Sequence, residues 1–141
     1  MATFTKFQDF VEQYSKAVHN FAAAGHTLKA MLTNGAPNAA THTVKADITE
    51  ISAGNGYTAG GEDIQNDMSE ASGTATVTAQ DVVWTASGGT IGPFRYVVIY
   101  NDTPSSPADP LVCYYDYGSS ITLQSGETFT LDFGASFFTL T

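Results

Sequence analysis

Tyr96-Val97-Val98-Ile99-Tyr100 and Leu111-Val112-Cys113-Tyr114-Tyr115-Asp116-Tyr117 are the stretches whose reading decides the fold. Each is an apolar run of strand length, and such runs are expected to be covered on both faces. Downstream, Ile121 and Leu123 alternate with Thr122, and Gln124-Ser125-Gly126-Glu127 makes a turn. Phe129, Leu131 and Phe133 then alternate with Thr128, Thr130 and Asp132, and Ser136 to Thr141 reads as a last strand. Upstream, Val82-Val83-Trp84-Thr85 precedes a Ser87-Gly88-Gly89 turn, and Thr74 to Thr78 is a Thr-rich alternating segment. His26 to Thr33 is a first candidate strand, broken by Asn34-Gly35-Ala36-Pro37.

Seven or eight short strands separated by Gly, Pro, Asn and Ser turns predict a mostly β chain, an antiparallel β-sandwich. Loops of unequal length suit Greek-key crossings, so the sandwich is expected to be jelly-roll-like. The long connection from Asn101 to Pro110 holds Pro104, Pro107 and Pro110. Prolines stiffen an exposed loop, which makes Pro104 and Pro107 candidate partner contacts. Tyr114, Tyr115 and Tyr117 cannot all face one side of a strand, and an outward Tyr115 is a further candidate. Val44 to Ile51 is of undecided type, and Glu62 to Gly73 is polar enough to predict an exposed excursion.

One helix is expected, over residues 4–22. Phe4, Phe7, Phe10, Val11, Tyr14, Val18 and Phe21 recur at spacings of three and four, one face of a helix. Thr5 and Gln8 have capping-box spacing, and Gly25 stands where a helix stop belongs. The aromatic stripe would pack on the chain's own sheet or dock on a neighbouring subunit, with Phe4 and Phe7 as candidate contacts. The whole is read as a single domain, 1–141, with the helix at 4–22 and the sandwich at 26–141.

Gly54-Asn55-Gly56-Tyr57-Thr58-Ala59-Gly60-Gly61 resembles a phosphate cradle only superficially. A dinucleotide fingerprint places its third glycine three residues after the second, whereas Gly60 follows Gly56 by four. Glu62 and Asp63 would also repel phosphate. The stretch is better read as a loop that needs positive φ and close backbone approach. Tyr57, its single large side chain, is expected to anchor the loop or a partner.

No catalytic constellation emerges. Adjacent Glu62 and Asp63 cannot span the roughly 5–10 Å between glycosidase carboxylates. His19, His26 and His42 lack metal-ligand spacing, and the oxygens of Glu62, Asp63, Asp67 and Glu70 lack the EF-hand pattern. Gly-x-Ser-x-Gly is absent. The expectation is therefore no enzyme, no catalytic residue, no cofactor and no metal.

Bulk properties agree with a surface-contact role. The 141 residues can bury roughly 68% of the surface their unfolded form exposes. Charged residues are 13% of the chain and the net charge is −9, with five Lys plus Arg against fourteen Asp plus Glu. Lys6, Lys16, Lys29, Lys45 and Arg95 are scattered, which argues against nucleic acid and anionic membranes as partners. A surface poor in ionic groups desolvates at lower cost when a protein docks. Cys113 is the one cysteine and reads as a buried small hydrophobe. No basic start followed by an apolar core marks a secretory signal, no apolar run approaches the ~20 residues of a membrane span, and the Asn101-Asp102-Thr103 sequon reads as accidental.

Several separated segments together carry a resemblance. They are Ala17-Val18-His19-Asn20, Thr27-Leu28-Lys29-Ala30-Met31-Leu32-Thr33-Asn34 with Ala36-Pro37, Ala46-Asp47-Ile48-Thr49-Glu50-Ile51, the Gly54–Gly61 loop, Pro93-Phe94-Arg95-Tyr96 and Tyr100-Asn101-Asp102. The chain resembles small virion proteins of tailed bacteriophages, similar to capsid cement or decoration proteins. The resemblance implies a homodimer or homotrimer, made in the host cytoplasm, that binds the outer surface of the phage head. There it would bridge and stabilise major capsid protein subunits. The alternative it leaves open is a tail- or fibre-associated adaptor or host-surface binding module. A carbohydrate-active domain using Glu62, Asp63 or Asp67 is a third reading.

Overall fold

A computed structural model describes residues 3–141, and the chain is mostly β with antiparallel sheets and one helix. The strands are β1 (Thr3–Lys6), β2 (Leu28–Thr33), β3 (Glu62–Asp63), β4 (Asp67–Ala71) and β5 (Thr74–Thr78). They continue with β6 (Val82–Thr85), β7 (Ile91–Asn101), β8 (Leu111–Leu123), β9 (Thr128–Leu131) and β10 (Phe138–Leu140). Helix α1 spans Asp9–Ser15.

The two deciding runs lie side by side at the heart of a five-stranded sheet ordered β1-β8-β7-β2-β3. Both faces of that sheet are covered, as continuous apolar runs require. On one face Leu28, Ala30 and Leu32 of β2 and Val97 and Ile99 of β7 join the larger core, with Val77, Trp84, Leu131 and Phe133 from outside the sheet. On the other, Met31, Val98, Tyr100 and Leu111 pack with Phe7, bordered by Ile48 and Tyr114. Burying these side chains stabilises the fold by roughly 1.5–3 kcal/mol each. Opposite Ile99 and Tyr100 the register of β8 skips from Cys113 to Leu111. That bulge lets Leu111 and Cys113, two apart in sequence, enter different cores.

The smaller sheets, β10-β5-β4 and β6-β9, are two ends of one antiparallel ribbon. Val82 pairs with Leu131 and Trp84 with Phe129, while Val77 pairs with Phe138 and Ala75 with Leu140. Residues 75–77 thus run against 138–140 and residues 82–85 against 128–131, with an interruption between. Asp132–Phe137 is the longer side of the interruption, and the Phe137 N–H reaches the Val77 carbonyl across it (2.7 Å).

Three expectations are corrected. The helix predicted over 4–22 is confined to Asp9–Ser15, because Thr3–Lys6 pairs with β8 as an edge strand, Phe4 opposite Tyr115. Gln8, not Thr5, is the N-cap, without a side-chain cap, and Ala17 at φ 60° turns the chain before Val18. The Phe spacing mixes two environments: Phe7 enters the smaller core, Phe10 and Phe21 the larger. Second, Glu62 to Gly73 is exposed over Asp67–Gly73 as expected, but it contains strands β3 and β4; Asp67–Ala71 pairs with β5 across a Ser72-Gly73 turn with both φ positive. Third, Ile121 and Leu123 continue β8 instead of forming a strand of their own. The undecided Val44–Ile51 segment holds a single 3-10 turn, Lys45–Asp47.

Candidate functional site

The surface feature that stands out is an aromatic groove of about 620 Å³ where β1 and β8 meet β9 and the approach to β10. Phe4 stands on β1 and Tyr115 and Tyr117 on β8; Phe129 and Leu131 come from β9, and Phe133 and Phe137 from the segment after it. Asp132 is the single charged residue among those lining it.

Strand alternation explains why these rings converge. Tyr115 and Tyr117, two apart on β8, point to the same face of the sheet, as do Phe129 and Leu131 on theirs. The rings meet edge to face: Phe4 with Tyr115 at 5.5 Å, Tyr115 with Phe133 at 6.2 Å, Tyr117 with Phe129 at 5.6 Å and Phe133 with Phe137 at 5.0 Å. Such contacts fix ring orientation beyond what area burial alone supplies. The outermost rings remain wet, Phe4 at 43% and Tyr117 at 48% exposure. Burial keeps the Tyr115 hydroxyl protonated well above the ordinary phenol range, with Cys113 adding to the effect. The groove therefore offers apolar area and phenolic hydrogen-bonding groups, and no ionised acid–base pair.

β1 is an outer strand of its sheet, and β9 pairs only with β6 among the described residues. Each consequently has one edge free of sheet partners among the described residues. Free edges carry backbone N–H and C=O groups able to pair with another extended chain.

The six residues singled out from sequence separate. Phe4 and Tyr115 come together in the groove. Phe7 is fully buried against Tyr114 and offers nothing to a partner. Tyr57 is 3% exposed and anchors its own loop: its hydroxyl donates to Glu50 Oε1 (2.7 Å) and accepts from the Leu32 N–H (3.0 Å). Gly60 N–H donates to the same Glu50 oxygen (2.6 Å), and Tyr100 donates to the Gly60 carbonyl (2.5 Å). Gly54 and Tyr57 exchange backbone hydrogen bonds around Asn55 (φ 57°) and Gly56 (φ 106°), the geometry of a type I′ turn. Pro104 and Pro107 lie half-buried on the 101–110 connection and do not line the groove. Sequence reasoning missed Tyr117, Phe129, Leu131, Phe133 and Phe137 as site residues. Their alternation was visible, but alternation reports a buried face and not where covering stops.

Three of the four acids weighed for chemistry are occupied locally. Asp63 accepts the Gln65 N–H (2.7 Å), Asp67 accepts the N–H groups of Ala23 (3.1 Å) and Met68 (2.8 Å), and Glu70 accepts that of Gly73 (2.7 Å). Among the described residues, no three His, Cys, Asp or Glu side chains gather into a metal-holding group. No described helix is long and apolar enough to cross a membrane. Cys113 is buried, which pushes its thiol well up.

Cations are mostly spent within the chain. Lys16 pairs with Glu12, Lys29 with Asp102 (3.0 Å), Lys45 with Glu50 (3.9 Å) and Arg95 with Asp116 (2.8 Å). Lys6 on β1 has no such partner among the described residues. In comparisons with known proteins, no family model, no curated protein and no solved structure matches the chain.

Proposed function

We propose that this chain is a structural protein of a tailed-phage virion that attaches to the outside of the head and bridges neighbouring major capsid subunits. The observation that carries the reading is the exposed aromatic groove, lined in part by two strands, β1 and β9, that each keep an edge free of sheet partners among the described residues. Exposed aromatic rings set in an apolar cleft are typical interface anchors. The resemblance of the separated segments supplies the virion context. A net charge of −9, with four of five cations already paired, keeps many copies soluble and disfavours a place against packaged DNA.

The architecture that fits is a jelly-roll-like sandwich, in which the 74–85/128–140 ribbon covers the larger-core face of the five-stranded sheet. Side chains shared between ribbon and sheet support it. A homodimer or homotrimer touching several capsid subunits gains avidity from weak single contacts. Because it binds the assembled lattice better than free subunits, it stabilises that lattice by linkage.

Quantitative mass spectrometry of the source particle tests the assignment. A head protein of this kind is present in tens to hundreds of copies. A few copies per particle would assign the chain to the tail or fibre, and none would remove it from the virion.

A further inference from the structure

We propose that His19, His26 and Asn101 form an acid-sensitive latch that fastens the segment between α1 and β2 to the end of β7, and that protonating the imidazoles opens it. Asn101 closes β7 and is fully buried. Its Nδ2 lies 3.0 Å from His19 Nδ1 and 3.0 Å from His26 Nδ1.

Two backbone N–H groups, which can only donate, fix the proton positions. The Thr103 N–H donates to Asn101 Oδ1 (3.2 Å), so the amide is held with its NH₂ toward the histidines. The Asn20 N–H donates to His26 Nδ1 (3.3 Å), so that nitrogen carries a lone pair. His19 Nδ1, facing the same NH₂, must accept as well. Both Nδ1 atoms thereby act as acceptors, and the His19 imidazole is held neutral with its proton on Nε2. The His19 Nε2 is buried and has no partner among the described residues, so none of them rewards a charge there. Adding a proton to either Nδ1 sets donor against donor. Rotating the amide to compensate would forfeit the Thr103 bond.

The surroundings reinforce this. His19 stacks on Phe21 (5.4 Å) and lies 5.1 Å from Phe10, an aromatic setting that disfavours a charge. Burial, and then the neighbouring His26, pushes the His19 imidazole down to about 4. The carboxylates facing His26 are Asp63 of β3 and Asp67 of β4, which line a polar hollow with it. Both accept backbone N–H groups there. Beside Asn101, Asp102 is paired with Lys29. Leu28 and Thr27 stay tied by Asn66 and Thr103, the Asn66 amide also donates to the Phe21 and His26 carbonyls (2.9 and 3.0 Å), and the Ala23 N–H donates to Asp67, so the part the latch alone fixes is the turn around Val18 to Asn20.

Hydrogen exchange read by mass spectrometry, corrected for intrinsic rates, tests the latch on the full chain. From about pH 7 to about pH 4.5, protection of peptides covering 16–27 should fall about tenfold or more while β7 and β8 keep theirs. In Asn101→Asp an acceptor replaces the donor, so acid should preserve or raise protection of 16–27. Should that variant fail to fold, the double variant His19→Phe, His26→Gln carries no titrating latch and should show no acid-dependent loss. Unchanged protection in the native chain, or the same acid loss in these variants, overturns the proposal.

Discussion

Phe4 on β1 stands directly opposite Tyr115 on β8, with ring centroids 5.5 Å apart and planes at 67°. This cross-strand pair forms one wall of the aromatic groove and holds an edge strand in register. Phe4 remains 43% exposed, so much of its surface is available to something outside the chain.

Truncating the outer rings should separate binding from folding. Phe4→Ala and Tyr117→Ala together are expected to weaken attachment to heads at least tenfold, a loss of about 1.4 kcal/mol or more between the two aromatic anchors. Being partly exposed, they should lower stability by only about 1–2 kcal/mol. A binding isotherm and a urea titration on the same sample read both.

Gly61 tests the close packing of its loop on β2. A Cβ there would sit 1.9 Å from the Ala30 carbonyl oxygen, and its φ of 81° is a glycine conformation. Gly61→Ala is expected to destabilise by on the order of 2–4 kcal/mol. Its urea midpoint should fall accordingly, whereas Gly73→Ala, with open space at its Cβ, should fall less.

Tyr57→Phe keeps the ring and deletes the hydroxyl that joins Leu32 to Glu50. It leaves a buried N–H unpaired, so a loss of about 1–3 kcal/mol is expected in chemical denaturation. Head binding should be unchanged, because Tyr57 is a residue of the interior.

His19 makes stability pH-dependent. Its folded value of about 4 lies below that of an imidazole in water, so below about pH 6.5 the unfolded chain binds a proton that the folded chain refuses. Its contribution is present above about pH 6.5 and is lost as pH falls toward 4, in total on the order of 2 kcal/mol after allowing for solvent screening. Thermal melts of the native chain and His19→Phe should diverge between those limits and run parallel below them.

How much of this was legible in the residues varies with what each residue faces. Val97–Tyr100 and Leu111–Cys113 are apolar on both sides, and that pattern has one solution, a strand covered twice. Asn55-Gly56 announces its turn through the positive φ that both positions adopt. Phe4 to Phe21 misled because a three-and-four spacing arises whether the rings share a helix face or serve separate cores. Thr3–Lys6 is a strand because β8 offers it an edge, a tertiary cause invisible in a local window. β4 was missed because every residue in it is exposed, leaving no alternation to detect. The groove was half legible: Phe129, Leu131 and Phe133 marked a buried face, but only the positions of β1 and β9 show that this face opens at an edge.

An electron-microscopy map of the source particle, at a resolution that places side chains, addresses the central claim most directly. The account predicts many copies on the outer head, each with Phe4 and Tyr117 covered by capsid protein. Copies confined to the tail, or a head-bound protein whose groove faces solvent, would contradict it.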